Sequence, residues 1–222
     1  MPSKNDLLTE INKAFGLSII PGLTTASDIS DIFEAYILSL ILSAAHIEGG
    51  TIAYFDVYQM IPAQFIYRTS PGYIFSKNKK YCYAEITFPG KEPLEVHNGL
   101  RVIGKSGVLH ECDVSVIEQS EANFCRTHNI SPRSYKVIIA VECKFYSTTL
   151  QLHLAREFLG LTEDISVQSS IFVSNSSSGN LEKLLSGRKR NWEHMVIPSS
   201  HKTVNRLRSK FQTAFQNYKA IY

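Results

Sequence analysis

Apolar residues recur along the chain at two spacings, which separate predicted helices from predicted strands. A spacing of three to four residues indicates an amphipathic helix, and strict alternation indicates a half-buried strand. Helical spacing occurs over residues 3–15, 26–46, 149–161, 181–190 and 202–222. Alternating or continuously apolar segments predict strands over residues 51–59, 64–72, 81–90, 95–104, 110–118, 134–146, 167–174 and 193–199. The polar segment 119–134 contains Pro132 and is predicted to be a loop.

Two features of these helices bear on the later argument. Asp31 and Glu34 have the spacing of a capping box, which predicts a helix start at that point. The last helix has one apolar stripe, formed by Val204, Leu207, Phe211, Phe215 and Tyr218. Such a stripe is typical of a face that packs on a core, and a dimer surface is the alternative.

Strands and helices follow one another along the chain, which predicts the α/β class. The 222 residues suffice for one sizeable domain with a full core. We find no internal repeat and no long linker. The sequence therefore predicts a single α/β domain over residues 1–222.

Composition and charge narrow the possibilities only slightly. A net charge of +3 is compatible with nucleic-acid binding but does not indicate it. The four cysteines show no CxxC spacing, so we expect reduced thiols, no zinc site and a cytoplasmic protein. The start lacks the apolar core of a signal peptide. The apolar segment 32–47 is predicted to be a core helix, too short to cross a membrane.

Charged residues interrupt two adjacent strand patterns. In "VIIAVECKF", residues 137–145, Glu142 and Lys144 share one strand face, at the carboxyl end of an otherwise apolar run. In "HECDVSVIE", residues 110–118, Glu111 and Asp113 also share a face. If these strands pair as antiparallel neighbours, the acids converge beside Lys144. A hard divalent cation relieves the resulting repulsion, and the lysine can then orient or deprotonate a water or stabilise charge on a phosphate. A structural salt bridge is the alternative.

This arrangement resembles the PD-(D/E)xK superfamily, the restriction-endonuclease-like nucleases. The matching residues are Asp113 in "HECDVSV" and Glu142 with Lys144 in "VECKF", followed by the helix "LQLHLAREFLGL" and the strand "SSIFVS". The resemblance covers residues 28–175, roughly the predicted core, and leaves a basic helical region at 180–222. No proline precedes Asp113, where the family motif often has one.

The resemblance implies a fold, a reaction and a set of site residues. The fold would be a restriction-endonuclease-like three-layer core, with a central mixed sheet flanked by helices. The reaction would be Mg²⁺-dependent hydrolysis of DNA, with Mn²⁺ able to substitute, in restriction, phage defence, recombination or repair. Asp113, Glu142 and Lys144 would be catalytic. The metal would be held by Asp113, Glu142 and the Cys143 carbonyl, with Glu34 and Glu111 as further candidates and Gln151 as an accessory residue.

Phosphate contacts are predicted late in the chain. Arg188, Lys189 and Arg190 form a dense basic cluster, and Lys202, Arg206 and Lys210 are spaced as one ridge of the last helix. A solvated helix face explains the ridge equally simply. We expect double-stranded DNA as the partner, a homodimer for cutting both strands, and no membrane. The main alternative is a module on the same fold that binds nucleic acid or assembles without cleaving.

Overall fold

A computed structural model describes residues 2–16 and 18–221 of the chain. The strands in these ranges are β1 Ile20–Pro21, β2 Thr51–Asp56, β3 Gln64–Phe65, β4 Cys82–Thr87, β5 Leu94–Ile103, β6 Leu109–Glu118, β7 Val137–Lys144, β8 Ser169–Ser174 and β9 Asn191–Glu193. The helices are α1 Lys4–Phe15, α2 Ile29–Ile47, α3 Gln119–His128, α4 Leu152–Asp164, α5 Gly179–Gly187 and α6 His201–Ala220, with a 3₁₀ turn at Ser134–Lys136.

Seven of these strands form one mixed sheet in the order β2-β4-β5-β6-β7-β8-β9. Neighbours from β2 to β7 are antiparallel, whereas β7, β8 and β9 run parallel. Helices α1, α2 and α6 contribute to one apolar cluster with one sheet face. Helices α3, α4 and α5 contribute to two other clusters, and Phe172 points away from its neighbours Ile171 and Val173. The predicted α/β class with a mixed sheet between helices is confirmed.

The last helix closes the core. All five residues of the predicted stripe on α6 are buried, and they belong to the same apolar cluster as α2 and the sheet. Burial of such a stripe within the chain is the usual source of helix stability in proteins. The stripe is therefore core, and its alternative interpretation as a dimer surface is wrong.

Helix α2 is the most apolar helix among the described residues. Its 19 residues are, by length and composition alone, sufficient to cross a membrane, so the prediction that this segment is too short for that was wrong. Two thirds of its apolar window is nevertheless buried inside the fold, against α1, α6 and the sheet. This burial is that of a core helix, as the sequence predicted.

Three local predictions were wrong. Residues 119–128 form α3 rather than a loop, because Glu121, Ala122 and Cys125 bury one helix face and Asn129 ends the helix in a left-handed conformation. The predicted strand 64–72 ends at Phe65, and Gly72 instead forms a single parallel bridge with Leu100 of β5. The final strand covers residues 191–193 instead of 193–199.

A buried ion pair fixes α3 to the sheet. The guanidinium of Arg126 donates two hydrogen bonds to Glu95 on β5, at 2.5 and 2.9 Å, and Glu95 is fully buried. The ring of His97, also fully buried, lies 2.9 Å from the same carboxylate. The cost of burying the Glu95 carboxylate is therefore offset by Arg126, which lies on α3. Hydrophobic periodicity alone does not predict this helix.

We expect Glu95→Ala to lower the free energy of unfolding by about 3–5 kcal/mol, because it leaves Arg126 partly buried without its counter-charge. Urea unfolding followed by circular dichroism measures this. Glu10→Ala is the matched control, since its ion pair with Lys13 is exposed and should contribute less than about 1 kcal/mol. Equal losses in the two variants would contradict the account.

Candidate active site

The two charged strands are neighbours, as the sequence predicted. β6 and β7 pair antiparallel, with Val114 opposite Val141 as the last pair at this end. One residue further on, the backbone N–H of Cys143 donates to Asp113 Oδ2 at 2.7 Å. The Asp113 side chain thus takes the place that a backbone carbonyl would occupy in a continuing ladder. This hydrogen bond fixes Asp113 against the Glu142–Lys144 segment.

Glu142 and Lys144 form a direct ion pair. Lys144 Nζ lies 2.5 Å from Glu142 Oε1, and the two side chains are 22% and 17% exposed, respectively. The salt bridge considered as the alternative in the sequence is therefore present. Burial opposes the charge on Lys144, but the carboxylates of Glu142 and Asp113 outweigh it and raise the pKa of Lys144. The lysine is a cation in this arrangement, which disfavours a role as a base.

Glu34 approaches the same place from α2. Phe33 and Phe145 pack edge to face with ring centroids 5.4 Å apart, which fixes α2 against the segment that follows β7. Burial, followed by the charges of Asp113, Asp31 and Glu111, raises the pKa of Glu34 to about 9. A carboxyl group held among other acids therefore takes up a proton unless a cation is present.

The predicted capping box does not exist. Helix α2 begins at Ile29 with Asp28 as its N-cap, so Asp31 lies within the first turn. Asp28 makes no capping hydrogen bond with its side chain. The capping box therefore does not explain why a glutamate stands at position 34. A different reason is needed for the position of Glu34 beside Asp113.

The remaining acids are similarly destabilised. Burial and the neighbouring Glu142 carboxylate raise the pKa of Asp113 to about 7, against the hydrogen bond from Cys143 and the charge of Lys144. Partial burial and Glu142 also raise the pKa of Glu111, against the opposing charges of Lys144 and two arginines. The site thus gathers more carboxylates than its single lysine neutralises, which is the electrostatic environment of a cation site.

Asn175 supports the carboxyl end of β7. Its side chain accepts from Tyr146 N at 2.8 Å and donates to Tyr146 O at 3.0 Å, while its own N–H donates to Lys144 O at 3.3 Å. Asn175 is buried. Residues 175–180 lie between a predicted strand and a predicted helix and were assigned no role, so this support for Lys144 was missed.

The donor atoms of these side chains show whether the site suits a metal ion, and which one. Oxygen ligands with retained waters suit Mg²⁺, and the carboxylates here supply the right chemistry. Within residues 2–16 and 18–221, however, no three Asp, Glu, His or Cys side chains are assembled as a ready ligand set. Glu142 is engaged by Lys144 and one oxygen of Asp113 by Cys143. Ion binding therefore requires Glu142 to exchange its partner.

The other predicted residues lie apart from this cluster or already have partners. Gln151 is exposed at the start of α4 and makes no capping hydrogen bond with its side chain. Arg190 pairs with Glu163 at the far end of α4, about 18 Å of helix away from its start. Arg206 pairs with the buried Glu193. Arg188, Lys189 and Lys202 are exposed, and Lys210 is partly buried.

Two arginines near the acids were missed by the sequence reasoning. Arg101 lies directly opposite Glu111 in the β5–β6 ladder. The charge of Arg68 also lowers the pKa of Glu111, though less than that of Arg101. A signal for Arg101 existed, because the short hairpin through Gly104 and Gly107 fixes the register of the two strands. No comparable signal identifies Arg68, which lies in an irregular segment.

Comparison with protein-family models, with curated proteins and with solved structures found no match to this chain. The resemblance to the PD-(D/E)xK superfamily thus stays a prediction, and the function has to be argued from the site.

The raised pKa of Glu34 makes folding stability depend on pH. Between its ordinary value of 4.5 and about 9, the folded state holds one more proton than the unfolded state, so the free energy of unfolding falls as pH rises. The contribution is up to about 1.4 kcal/mol per pH unit. Asp113 contributes only up to about pH 7, so between pH 7 and 9 the difference between the unmodified chain and a Glu34 variant reports on Glu34.

We expect Glu34→Gln to flatten the fall in stability across that window, measured by urea unfolding in chelator. Glu10→Gln provides the control, since Glu10 is exposed beside Lys13. A slope that is the same in Glu34→Gln and the unmodified chain would show that Glu34 ionises normally.

Proposed function

We propose that this chain is a metal-dependent nuclease that hydrolyses phosphodiester bonds, with DNA as the substrate and a restriction-endonuclease-like fold. The supporting observation is the convergence of Glu34, Glu111, Asp113 and Glu142 on Lys144 where the β6–β7 ladder ends. An ion-pair network that served stability alone would not need three acids besides the lysine's partner. The raised pKa values of Glu34, Glu111 and Asp113 support the proposal, because acids with raised pKa values lower the stability of the fold when they are ionised without a cation.

Each residue of the site would have a separate role in the reaction. Asp113 and Glu142 would hold a Mg²⁺ ion, with Glu34 or Glu111 adding charge, and the Cys143 carbonyl remains a candidate ligand. The ion would supply charge neutralisation at the phosphate and a more acidic bound water. Lys144, held protonated, would stabilise the charge that develops on the phosphate and position the attacking water. Water would add to phosphorus while the bond between phosphorus and the leaving oxygen breaks; the attacking water would give up a proton to the solvent, and the leaving oxygen would take up a proton from the solvent.

A second candidate is a module on the same fold that binds nucleic acid without cleaving. The observation that favours it is the closed Glu142–Lys144 pair, together with the lack of a preassembled ligand set among the described residues. This candidate predicts binding in chelator and no fragments with any divalent ion.

Lys144→Ala is expected to reduce cleavage of plasmid DNA in Mg²⁺ or Mn²⁺ by about 100-fold or more, because it removes the charge beside the phosphate. The measurement is the rate of fragment release on gels, with chelator as the blank. Lys136→Ala is a matched control: Lys136 forms a similar pair with Glu118 at the opposite end of β7. Full cutting by Lys144→Ala would overturn the assigned role, and equal loss in both variants would indicate a folding defect.

Metal binding is tested separately by thermal unfolding with added Mn²⁺. An ion bound only by the folded state at 100 times its Kd stabilises by about 2.7 kcal/mol, so the melting temperature should rise. Asp113→Asn should abolish the rise, although its side-chain carbonyl still accepts from Cys143. Glu118→Gln, away from the site, should keep it. A rise that survives Asp113→Asn would place the ion elsewhere.

A further inference from the structure

A cleft of about 470 Å³ lies beside the β5–β6 hairpin. Residues 66–72 form one wall and residues 76–81 the other. Its lining contains Arg68, Lys79 and Lys80 but no acidic residue. The remaining polar side chains there are neutral, namely those of Thr69, Ser70, Ser76, Asn78 and two tyrosines. Positive charge in a concave surface concentrates anions.

Arg68 is held in a defined position. Its guanidinium carbon lies 3.7 Å from the centroid of the Tyr81 ring, and Nη2 donates to Tyr73 O at 3.3 Å. The other terminal nitrogen, Nη1, is buried and has no hydrogen-bond partner among the described residues. A buried donor without an acceptor is costly, so this nitrogen indicates that an acceptor belongs there.

Two glycines make room for this side chain. A Cβ on Gly72 would lie 2.1 Å from Arg68 Nη1, and a Cβ on Gly99 would lie 3.3 Å from Arg68 Cδ. The backbone of Gly72 is fixed to β5, since its N–H donates to Gly99 O at 2.9 Å and its carbonyl accepts from Arg101 N at 3.0 Å. The cleft wall is thus built on the sheet rather than on a free loop.

The cleft leads to the candidate active site. Arg101 lies opposite Glu111, and Glu111 is two residues before Asp113 in the chain. The guanidinium carbon of Arg101 is 5.1 Å from the centroid of the Tyr73 ring. Arg68 acts electrostatically on the same Glu111. A chain of phosphates bound along Lys79, Lys80 and Arg68 would therefore extend toward Glu111, near the N-terminal end of β6.

We propose that this cleft binds the phosphate backbone of the nucleic acid and directs it to the Glu111–Asp113 end of the site. The inference rests on the proposed function and assigns the substrate groove to residues 66–81 instead of the C-terminal basic region. Arg68 offers its positive charge and the unpartnered Nη1 donor, and Lys79 and Lys80 are exposed point charges. Arg190 and Arg206, by contrast, are already paired with carboxylates.

The test measures binding of a fluorescent DNA duplex by anisotropy in chelator, so that cleavage plays no part. Lys79→Ala/Lys80→Ala should weaken binding about tenfold or more at low salt and reduce the slope of log K against log salt by about 1.8, or 0.9 per lost contact. Arg156→Ala/Lys183→Ala removes two exposed charges on α4 and α5 and should leave affinity within about twofold. Arg188→Ala/Lys189→Ala tests the rival surface directly.

Gly72→Ala is a second variant that keeps the net charge. The atoms nearest to the added methyl group belong to the Arg68 side chain and not to the backbone, so we expect a folded protein in which Arg68 is displaced and binding is weaker. Normal affinity in both groove variants, or a larger loss in Arg188→Ala/Lys189→Ala, would overturn the assignment. So would an unmodified chain that binds no duplex, or displacement of duplex by millimolar inorganic phosphate at matched ionic strength, which indicates a site for free phosphate.

The two proposals fail in different ways. Loss of binding in the groove variants, without any cleavage by the unmodified chain in Mn²⁺, supports the groove and overturns the nuclease. Cleavage by the unmodified chain, with normal binding in both groove variants, supports the nuclease and overturns the groove.

Discussion

The hydrogen bond from the Cys143 N–H to the Asp113 carboxylate, at the point where β6 and β7 stop pairing, is the contact on which the candidate site depends. A backbone acceptor there would have continued the ladder and left no polar side chain between the strands. A carboxylate instead puts negative charge next to Glu142 and within range of Glu34. The cost appears in the raised pKa values of Asp113 and Glu34. A fold that maintains this cost in two separate elements, β6 and α2, is consistent with a functional cation site.

Each supporting element contributes one contact to that arrangement. Helix α2 is fixed by the packing of Phe33 on Phe145, and the end of β7 is fixed by the paired hydrogen bonds of Asn175. These contacts restrict the charged side chains without neutralising them. With the backbone fixed in this way, the reorientation that ion binding requires is limited to the Glu142 side chain, which has to leave Lys144.

How much of this the sequence reveals depends on the range of the interactions involved. Alternation within β6 and β7 predicted their charged ends and their pairing, since strand periodicity is local. Helix α3 was missed because the contacts that hold it are not local: one face is buried in the fold, and Arg126 binds Glu95, which is 31 residues distant. The capping box failed because helix α2 starts two residues before Asp31, at a residue that sequence spacing does not identify. Arg68 was missed because its position depends on Gly72 and Gly99, which are adjacent only in space.

Charge distribution connects the acidic cluster with the basic cleft. A polyanion approaching Glu34, Glu111, Asp113 and Glu142 alone would be repelled, and a metal ion offsets that repulsion at only one phosphate. Flanking phosphates need separate cations, and Arg68, Lys79 and Lys80 are cations on a surface that leads to Glu111. A net charge of +3 is too small to attract nucleic acid by itself. Affinity for a phosphate chain must therefore come from where the cations are placed rather than from how many there are.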